Sequence, residues 1–197
     1  MNWLAHLLLS EPTPAFRLGG ILPDLASASA LAGMPPEFQG GIRRHHQIDA
    51  YTDSHAIFRR SVHRFSPPFR RFGGILVDVF YDHFLASDWE SYSDKSLPDF
   101  TSDFYASFES HRADIPPEVY ERLLQMKAGN WLCSYGDVQG VATTLGRIGS
   151  RLRRPFDLAP AIAVLERDYK LFHGDFTAFF PEVTKHVQLN AATTAKE

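Results

Sequence analysis

Apolar residues recur along this chain at intervals of three and four, the spacing that places side chains on one face of an α-helix. The clearest stripes are Val119, Leu123, Leu124 and Met126; Val141, Leu145 and Ile148; and Leu158, Ile162, Leu165 and Tyr169. No segment shows the strict alternation, bounded by two-residue turns, that is typical of β-hairpins. The pattern therefore predicts an all-α protein folded as a helical bundle.

Proline and glycine pairs separate the predicted helices. These pairs include Gly19-Gly20, Pro35-Pro36, Gly40-Gly41, Pro67-Pro68, Gly73-Gly74 and Pro116-Pro117. No internal repeat divides the 197 residues, a length that fits one domain. We predict a single helical domain over residues 1–190, followed by a small, polar and flexible tail over residues 191–197.

Composition narrows the class of protein. Hydrophobic residues make up 44% of the chain and charged residues 22%, which is typical of a globular domain with a real core. The net charge of −3 argues against nucleic-acid binding, which needs a strongly basic face. The apolar start is short, lacks a basic flank and is interrupted by His6, so we predict neither a signal peptide nor a membrane span. Because Cys133 is the single cysteine, no intramolecular disulfide can form, and we expect a cytoplasmic protein. The sequence leaves the oligomeric state open.

Two groups of arginines stand out against the acidic net charge. The first comprises Arg59, Arg60, Arg64, Arg70 and Arg71, and the second comprises Arg147, Arg151, Arg153 and Arg154. They are either solvated helix faces or a surface that attracts an acidic partner through complementary charge.

The segment around residue 45 carries the first pattern with a chemical meaning. His45, Asp49 and Asp53 are four residues apart, so on a helix they share one face at steps of about 6 Å along the axis. An imidazole nitrogen and a carboxylate oxygen one turn apart can reach the same metal ion. The alternative is a hydrogen bond between the two side chains on a wet surface.

A second acidic pair lies in a strongly apolar segment. Asp78 and Asp82 are four residues apart, and apolar residues surround them, so we expect a helix that is buried on all sides. Carboxylates in such a helix are costly unless a cation or strong donors compensate them. A metal ion is the better explanation, and an ion pair with an arginine is the alternative. The adjacent His83 is a candidate for a further ligand or for a group that orients one.

Two residues near the N-terminus are weaker candidates. Asp24 follows a glycine pair and a proline, and it could simply cap a helix. His6 lies in an apolar helix, where a satisfied core histidine is the commoner interpretation.

Carboxylates mixed with imidazole suit Mn²⁺, Fe²⁺, Mg²⁺ or Zn²⁺. Such an ion lowers the pKa of bound water and polarises a phosphoryl oxygen, so phosphoester hydrolysis is the natural reaction class. The chain has no Gly-x-Ser-x-Gly motif, P-loop or Gly-x-Gly-x-x-Gly fingerprint, and Cys133 has no base nearby in sequence. The metal-hydrolase interpretation therefore has little competition from other catalytic classes.

The same residues resemble the acyl carrier protein phosphodiesterase family. The resemblance rests on the Asn-Trp-Leu-Ala-His start at residues 2–6, the His-x-x-x-Asp-x-x-x-Asp ladder and the Asp-x-x-x-Asp-His-Phe-Leu segment. It implies an all-helical fold distantly similar to that of the His-Asp metal phosphohydrolases. It also implies removal of 4′-phosphopantetheine from holo acyl carrier protein, with Mn²⁺ as the preferred ion. Carried over by position, it supports Asp24, His45, Asp49 and Asp82 as site residues, with His6, Asp53, Asp78 and His83 behind them.

We therefore predict a metal-dependent phosphodiesterase with a proton donated to the leaving group by His83 or His6. Binding of the small, acidic carrier is assigned to Arg59, Arg60, Arg151, Arg153 and Arg154. Two alternatives stay open: a metal-dependent hydrolase of nucleotides or other small phosphoesters, and a helical module without enzymatic activity that binds an acidic protein.

Overall fold

The computed structural model describes the backbone of residues 1–194 and the side chains of residues 1–191. Over this range the regular structure is entirely helical and contains no strand, which confirms the predicted all-α class. The α-helices are α1 (Trp3–Leu8), α2 (Pro14–Gly19), α3 (Ala28–Ala32), α4 (Pro36–Ser54), α5 (Ala56–Val62), α6 (Gly73–Ser87), α7 (Leu97–Ser107), α8 (Pro117–Ala128), α9 (Trp131–Ser134), α10 (Val138–Arg151), α11 (Ile162–Arg167) and α12 (Tyr169–Thr194). Short 3₁₀ turns include Leu22–Asp24 and Arg70–Phe72.

Two of the three apolar stripes coincide with single helices. The first lies in α8, which begins just after Pro116, and the second lies in α10, where Val141 and Leu145 are buried. The third stripe is divided, because α11 ends before Asp168 and Tyr169 begins α12. The prediction of helix from this stripe is thus confirmed, but its residues do not lie on one continuous helix.

Helix α6 forms the centre of the core. It packs against α1, α5, α10 and α12, and it is buried along nearly its whole length. Aromatic rings join it to α12: the ring centroids of Phe80 and Phe172 are 5.4 Å apart, and those of Phe84 and Phe176 are 5.9 Å apart. Such ring pairs add to the free energy gained by burying their area. The predicted burial holds for most of α6, whereas Ile75 and Asp78 are half-buried and line a cavity.

Helices α2 and α4 cross at unusually close range, and glycine makes the crossing possible. A Cβ atom added at Gly19 would lie 2.2 Å from the carbonyl oxygen of Phe38, and one at Gly41 would lie 2.0 Å from that of Phe16. The glycine pair Gly40-Gly41 predicts a break between helices, but both residues lie inside α4. Their small size allows the two helices to pack closely. A glycine pair in a sequence can indicate either a turn or such a close contact, and the sequence alone does not distinguish them.

The C-terminal helix continues to Thr194, so the predicted domain boundary at residue 190 falls inside α12. Residues 195–197 of the predicted tail lie outside the described residues. Among the described helices, none combines the length and the hydrophobicity needed to cross a bilayer.

Replacing Gly41 with alanine tests the importance of the close crossing. We expect Gly41→Ala to lower the free energy of unfolding by about 1–3 kcal/mol, because the added methyl group must push the two helices apart. Gly174→Ala is the matched control, because Gly174 lies inside α12 with open space around its Cβ position. That change should stabilise the protein by up to about 1 kcal/mol through helix propensity. Urea unfolding measures both values, and equal effects would contradict this account.

Candidate metal centre

Four segments bring their polar side chains together at one site. Helix α1 contributes His6, the 3₁₀ turn Leu22–Asp24 contributes Asp24, and α4 contributes His45 and Asp49. Helix α6 contributes Asp78 beside them. The site therefore combines residues from the first half of the chain that only the tertiary structure makes neighbours.

His45 and Asp49 form the pair that the helical spacing predicts. The Nε2 atom of His45 lies 3.0 Å from Oδ2 of Asp49, while Nδ1 lies 2.8 Å from the carbonyl oxygen of Gly20. Because a carbonyl can only accept, Nδ1 carries a proton and Nε2 is directed towards the carboxylates. Burial opposes the charged form of His45, but the hydrogen bond to Asp49 and the nearby Asp24 outweigh it and raise its pKa.

His6 completes the group, although its sequence context suggests an ordinary core residue. Its ring stacks on that of His45 with the centroids 4.1 Å apart. The Nε2 atom of His6 lies 3.0 Å from the carbonyl oxygen of Met1 and 3.1 Å from Oδ1 of Asp49. Its Nδ1 atom is buried and has no hydrogen-bond partner among the described residues. Burial lowers the pKa of His6 to about 4, so its ring is neutral at pH 7.

Two imidazoles and a carboxylate make a group that could hold a metal ion. One candidate ligand atom from each of His6, His45 and Asp49 lies within 4.8 Å of the others. The setting of His45 also fits a cation, because the proton on its Nδ1 atom is held by a carbonyl. This arrangement is the usual way in which proteins orient a metal-binding histidine.

Asp49 is ionised in this setting. Burial alone would raise its pKa, but hydrogen bonds from His45 and His6, with the Met1 ammonium nearby, hold that pKa far below its usual range. A carboxylate that stays ionised is available as a hard oxygen ligand across the physiological pH range.

Asp24 lies at the edge of this group and is oriented by Trp3. The Trp3 Nε1–H group donates a hydrogen bond of 3.0 Å to Oδ2 of Asp24, and Oδ1 of Asp24 lies 3.8 Å from Nε2 of His45. Burial raises the pKa of Asp24, although His45 partly offsets this effect. Asp24 therefore lies beside the group of His6, His45 and Asp49, with one carboxylate oxygen towards His45.

Asp78 lies beside the group and pairs with the chain's α-amino group. Its Oδ1 atom is 2.9 Å from the Met1 nitrogen, which is also 3.4 Å from Oδ1 of Asp49. Burial lowers the pKa of the Met1 ammonium, but Asp78 and Asp49 more than compensate and raise it to about 11. Burial also raises the pKa of Asp78 to about 6. Asp78 thus joins the site through an ammonium group rather than through a histidine.

Asp82 is not among the three candidate ligands, and its side chain contacts the backbone of α1. Its carboxylate is completely buried and accepts hydrogen bonds from the backbone N–H groups of Leu4, at 2.7 Å, and Ala5, at 3.1 Å. Burial raises its pKa to about 7. Asp82 therefore satisfies the free N–H groups at the start of α1, and both of its oxygens are used in doing so. It supports the site by fixing the helix that carries His6.

Asp53 and His83 lie outside the group. Asp53 is exposed, one turn beyond Asp49. The two ring nitrogens of His83 contact the carbonyl oxygen of Tyr135, at 2.7 Å, and the hydroxyl of Tyr169, at 3.1 Å. Because adjacent residues on a helix point in different directions, His83 cannot share the orientation of Asp82. The placement of His83 does not support its predicted role as a proton donor.

The first arginine group is largely committed to internal contacts. Arg60 of α5 and Arg64 in the turn after it both bind the buried carboxylate of Asp175, with the shortest Arg64 distance at 2.8 Å. They thereby tie this part of the chain to α12. The Nε–H group of Arg59 donates to the backbone carbonyl of Asp53 at 2.9 Å. These contacts argue against the predicted carrier-binding role of Arg59 and Arg60.

Arginines from both sequence groups nevertheless meet on one surface. Arg71, Arg153 and Arg154 line a cavity of about 370 Å³ with Phe72 and Leu152. Leu152 also lines the cavity of the metal centre, so the two cavities adjoin. We refer to Arg71, Arg153 and Arg154 as the rim arginines.

The cavity beside the candidate metal centre has a volume of about 390 Å³, and its lining includes Asp24, Asp49 and Asp78. It also contains Trp3 and Arg122, which the sequence analysis did not select as site residues. The sequence could have identified Trp3, because it belongs to the N-terminal motif at residues 2–6. Nothing in the sequence distinguishes Arg122, because an arginine on an amphipathic helix is ordinarily a solvated residue.

Comparison with known proteins identifies relatives over nearly the whole chain. A sequence model of the acyl carrier protein phosphodiesterase family matches residues 1–183. The chain is 28% identical over 189 residues to the acyl carrier protein phosphodiesterase of Yersinia pestis, covering 95% of this chain and 98% of the relative. It is 30% identical over 182 residues to that of Photorhabdus laumondii, covering 92% of each chain. No solved structure matches significantly, so the expected likeness to His-Asp phosphohydrolases stays a prediction.

Metal binding can be measured through thermal stability. We expect Mn²⁺ to raise the melting temperature of the metal-stripped protein, because ligand at a hundredfold excess over Kd adds about 2.7 kcal/mol of stability. For a domain of this size that corresponds to roughly 5–10 °C. Asp49→Asn should abolish the rise, whereas the same substitution at the exposed Asp53 should preserve it. A full rise in Asp49→Asn would show that the ion binds elsewhere.

Proposed function

The chain belongs to the acyl carrier protein phosphodiesterase family, and we propose that it hydrolyses the phosphodiester joining 4′-phosphopantetheine to a serine of holo acyl carrier protein. The products are the apo carrier and free 4′-phosphopantetheine. One observation carries the proposal: the part of the chain that the family model matches includes all of His6, Asp24, His45 and Asp49. A cytoplasmic location, where Cys133 stays reduced, accords with this activity.

We infer a metal requirement from the donor set. His6, His45 and Asp49 would hold a divalent ion, with Asp24 beside them, and we propose Mn²⁺ because mixed imidazole and carboxylate ligands suit it. Mg²⁺, Fe²⁺ and Zn²⁺ are compatible with the same donors. When bound, such an ion supplies Lewis-acid polarisation of a phosphoryl oxygen and a lower pKa for coordinated water.

The protein's own groups keep this site in one arrangement. The Gly20 carbonyl fixes the tautomer of His45, and the indole N–H of Trp3 fixes the carboxylate of Asp24. In the proposed hydrolysis a bond forms between a water oxygen and phosphorus, and the bond from phosphorus to the serine oxygen breaks. The water gives up a proton, and the serine oxygen takes one up and leaves as the hydroxyl of the apo carrier. Preorganised ligands reduce the reorganisation that this step requires.

The rim arginines provide a surface for an acidic protein. Arg153 and Arg154 are exposed, and neither they nor Arg71 form an ion pair with any residue in the described part of the chain. They lie next to the cavity of the metal centre, where a carrier must dock to deliver its prosthetic group. Complementary charge at this position would speed encounter and favour an acidic carrier over other phosphodiesters.

The proposed reaction predicts a direct change in the mass of the substrate. Incubating holo acyl carrier protein with the wild-type protein and Mn²⁺ should remove the phosphopantetheine mass, as measured by intact-protein mass spectrometry. Asp49→Asn should leave the carrier unchanged. An unchanged carrier together with hydrolysis of a small phosphodiester would favour the small-phosphoester alternative, and no hydrolysis of either would favour the non-enzymatic one.

Reversing a charge on the rim should affect the carrier selectively. We expect Arg153→Glu to raise KM for holo carrier by about 3- to 10-fold at low salt, with kcat nearly unchanged, because rim charges act mainly on association. The effect should shrink as salt is added. Lys185→Glu, an equal charge reversal at an exposed position on α12, is the control and should leave KM unchanged. Equal effects of both substitutions on KM would contradict binding of the carrier by the rim arginines.

A further inference from the structure

The cavity of the metal centre contains arginines as well as acids. Arg122 of α8 and Arg151 of α10 line the same cavity as Asp24, Asp49 and Asp78. A third arginine, Arg147, lies one turn before Arg151. Arg122 and Arg151 therefore bring two positive charges into a cavity that is also lined by Asp49, one of the three candidate metal ligands.

These arginines have no counter-ion within residues 1–191. Neither Arg122 nor Arg151 forms an ion pair or a side-chain hydrogen bond with a described residue, although three carboxylates line the cavity. The carboxylates are instead occupied by histidine rings and by the Met1 ammonium.

The arginines also lie close enough to repel one another. Burial lowers the pKa of Arg151, and the nearby charges of Arg122 and Arg147 lower it further. Arg147 is held in place by an aromatic ring, with its guanidinium carbon 4.3 Å from the ring centroid of Trp131. Like charges gathered beside a cavity without acidic partners favour the binding of an anion.

We infer that Arg122 and Arg151 bind the non-bridging oxygens of the phosphate group of the substrate. This inference rests on the proposed function and deepens it, because it assigns the recognition of phosphate within the cavity to two named residues. The planar guanidinium group presents paired N–H donors that match phosphate oxygens. A cation held by His6, His45 and Asp49 would add positive charge beside Asp49, which lines the cavity together with the two arginines.

The location of Arg122 and Arg151 favours phosphate over carboxylates of the carrier as their ligand. Both line the cavity of the metal centre itself, whereas Arg153 and Arg154 line only the adjoining cavity. A carrier surface docked on the rim arginines would place its prosthetic group, rather than its acidic side chains, between Arg122 and the metal ligands. The two sets of arginines thus have separate ligands.

Inorganic phosphate is a suitable probe, since the product retains a phosphate monoester. We propose to titrate phosphate into the full-length, Mn²⁺-loaded protein by isothermal calorimetry. Arg122→Gln and Arg151→Gln should each weaken phosphate binding by about tenfold or more, the usual effect of losing a charge-assisted hydrogen bond. Arg122→Lys, which keeps the charge but loses the paired donors, should give an intermediate affinity. Arg112→Gln removes an equal charge at an exposed position that does not line the cavity, and it should bind like wild type.

Unchanged phosphate affinity in both glutamine variants would overturn the inference, as would the absence of phosphate binding to the wild-type protein. An unchanged Mn²⁺-dependent rise in melting temperature in each variant establishes that the metal centre remains intact. Phosphate binding also separates this inference from the proposed function. If the variants lose phosphate affinity but the wild-type protein leaves holo carrier intact, then Arg122 and Arg151 bind phosphate as inferred. In that case only the proposed substrate, holo acyl carrier protein, is wrong.

Discussion

The close approach of α2 and α4 supports the geometry of the whole site. These helices meet where Gly19 and Gly41 leave no side chain between the backbones. The contact brings the end of α2 against α4, so that the carbonyl of Gly20 receives the Nδ1–H group of His45. A packing contact between two backbones thereby determines which nitrogen of His45 faces the carboxylates. The chemistry of the site depends on this orientation, because only an unprotonated nitrogen can bind a metal ion.

A second internal contact places the histidine of α1. The buried carboxylate of Asp82 binds the first N–H groups of that helix and holds it against α6. An acidic residue inside an apolar helix requires compensation, and here backbone donors provide it instead of a cation. Asp82 therefore contributes to the site through position, since His6 and Trp3 both belong to the helix that it caps.

The acidic groups of the cavity do not pair with its arginines. Carboxylates are paired with imidazoles and an ammonium group, while Arg122 and Arg151 have no acidic partner in the described structure. Direct pairing of the acids with the arginines would have satisfied both and left neither available. Keeping them apart leaves carboxylate oxygens and unpaired guanidinium donors in one cavity, as the proposed metal-assisted hydrolysis of a phosphodiester would need.

By itself, the sequence determined the features that depend on local spacing. Helical periodicity established the fold class, the buried character of α6 and the pairing of His45 with Asp49, because residues four apart on a helix are neighbours whatever the rest of the chain does. The motifs also pointed to the family. Only the tertiary structure decided that His6 joins the group, that Asp82 caps a helix, that His83 faces away and that Arg122 enters the cavity. Each of these depends on contacts between segments that are distant in sequence, and a helical pattern specifies which residues share a face without specifying what that face meets.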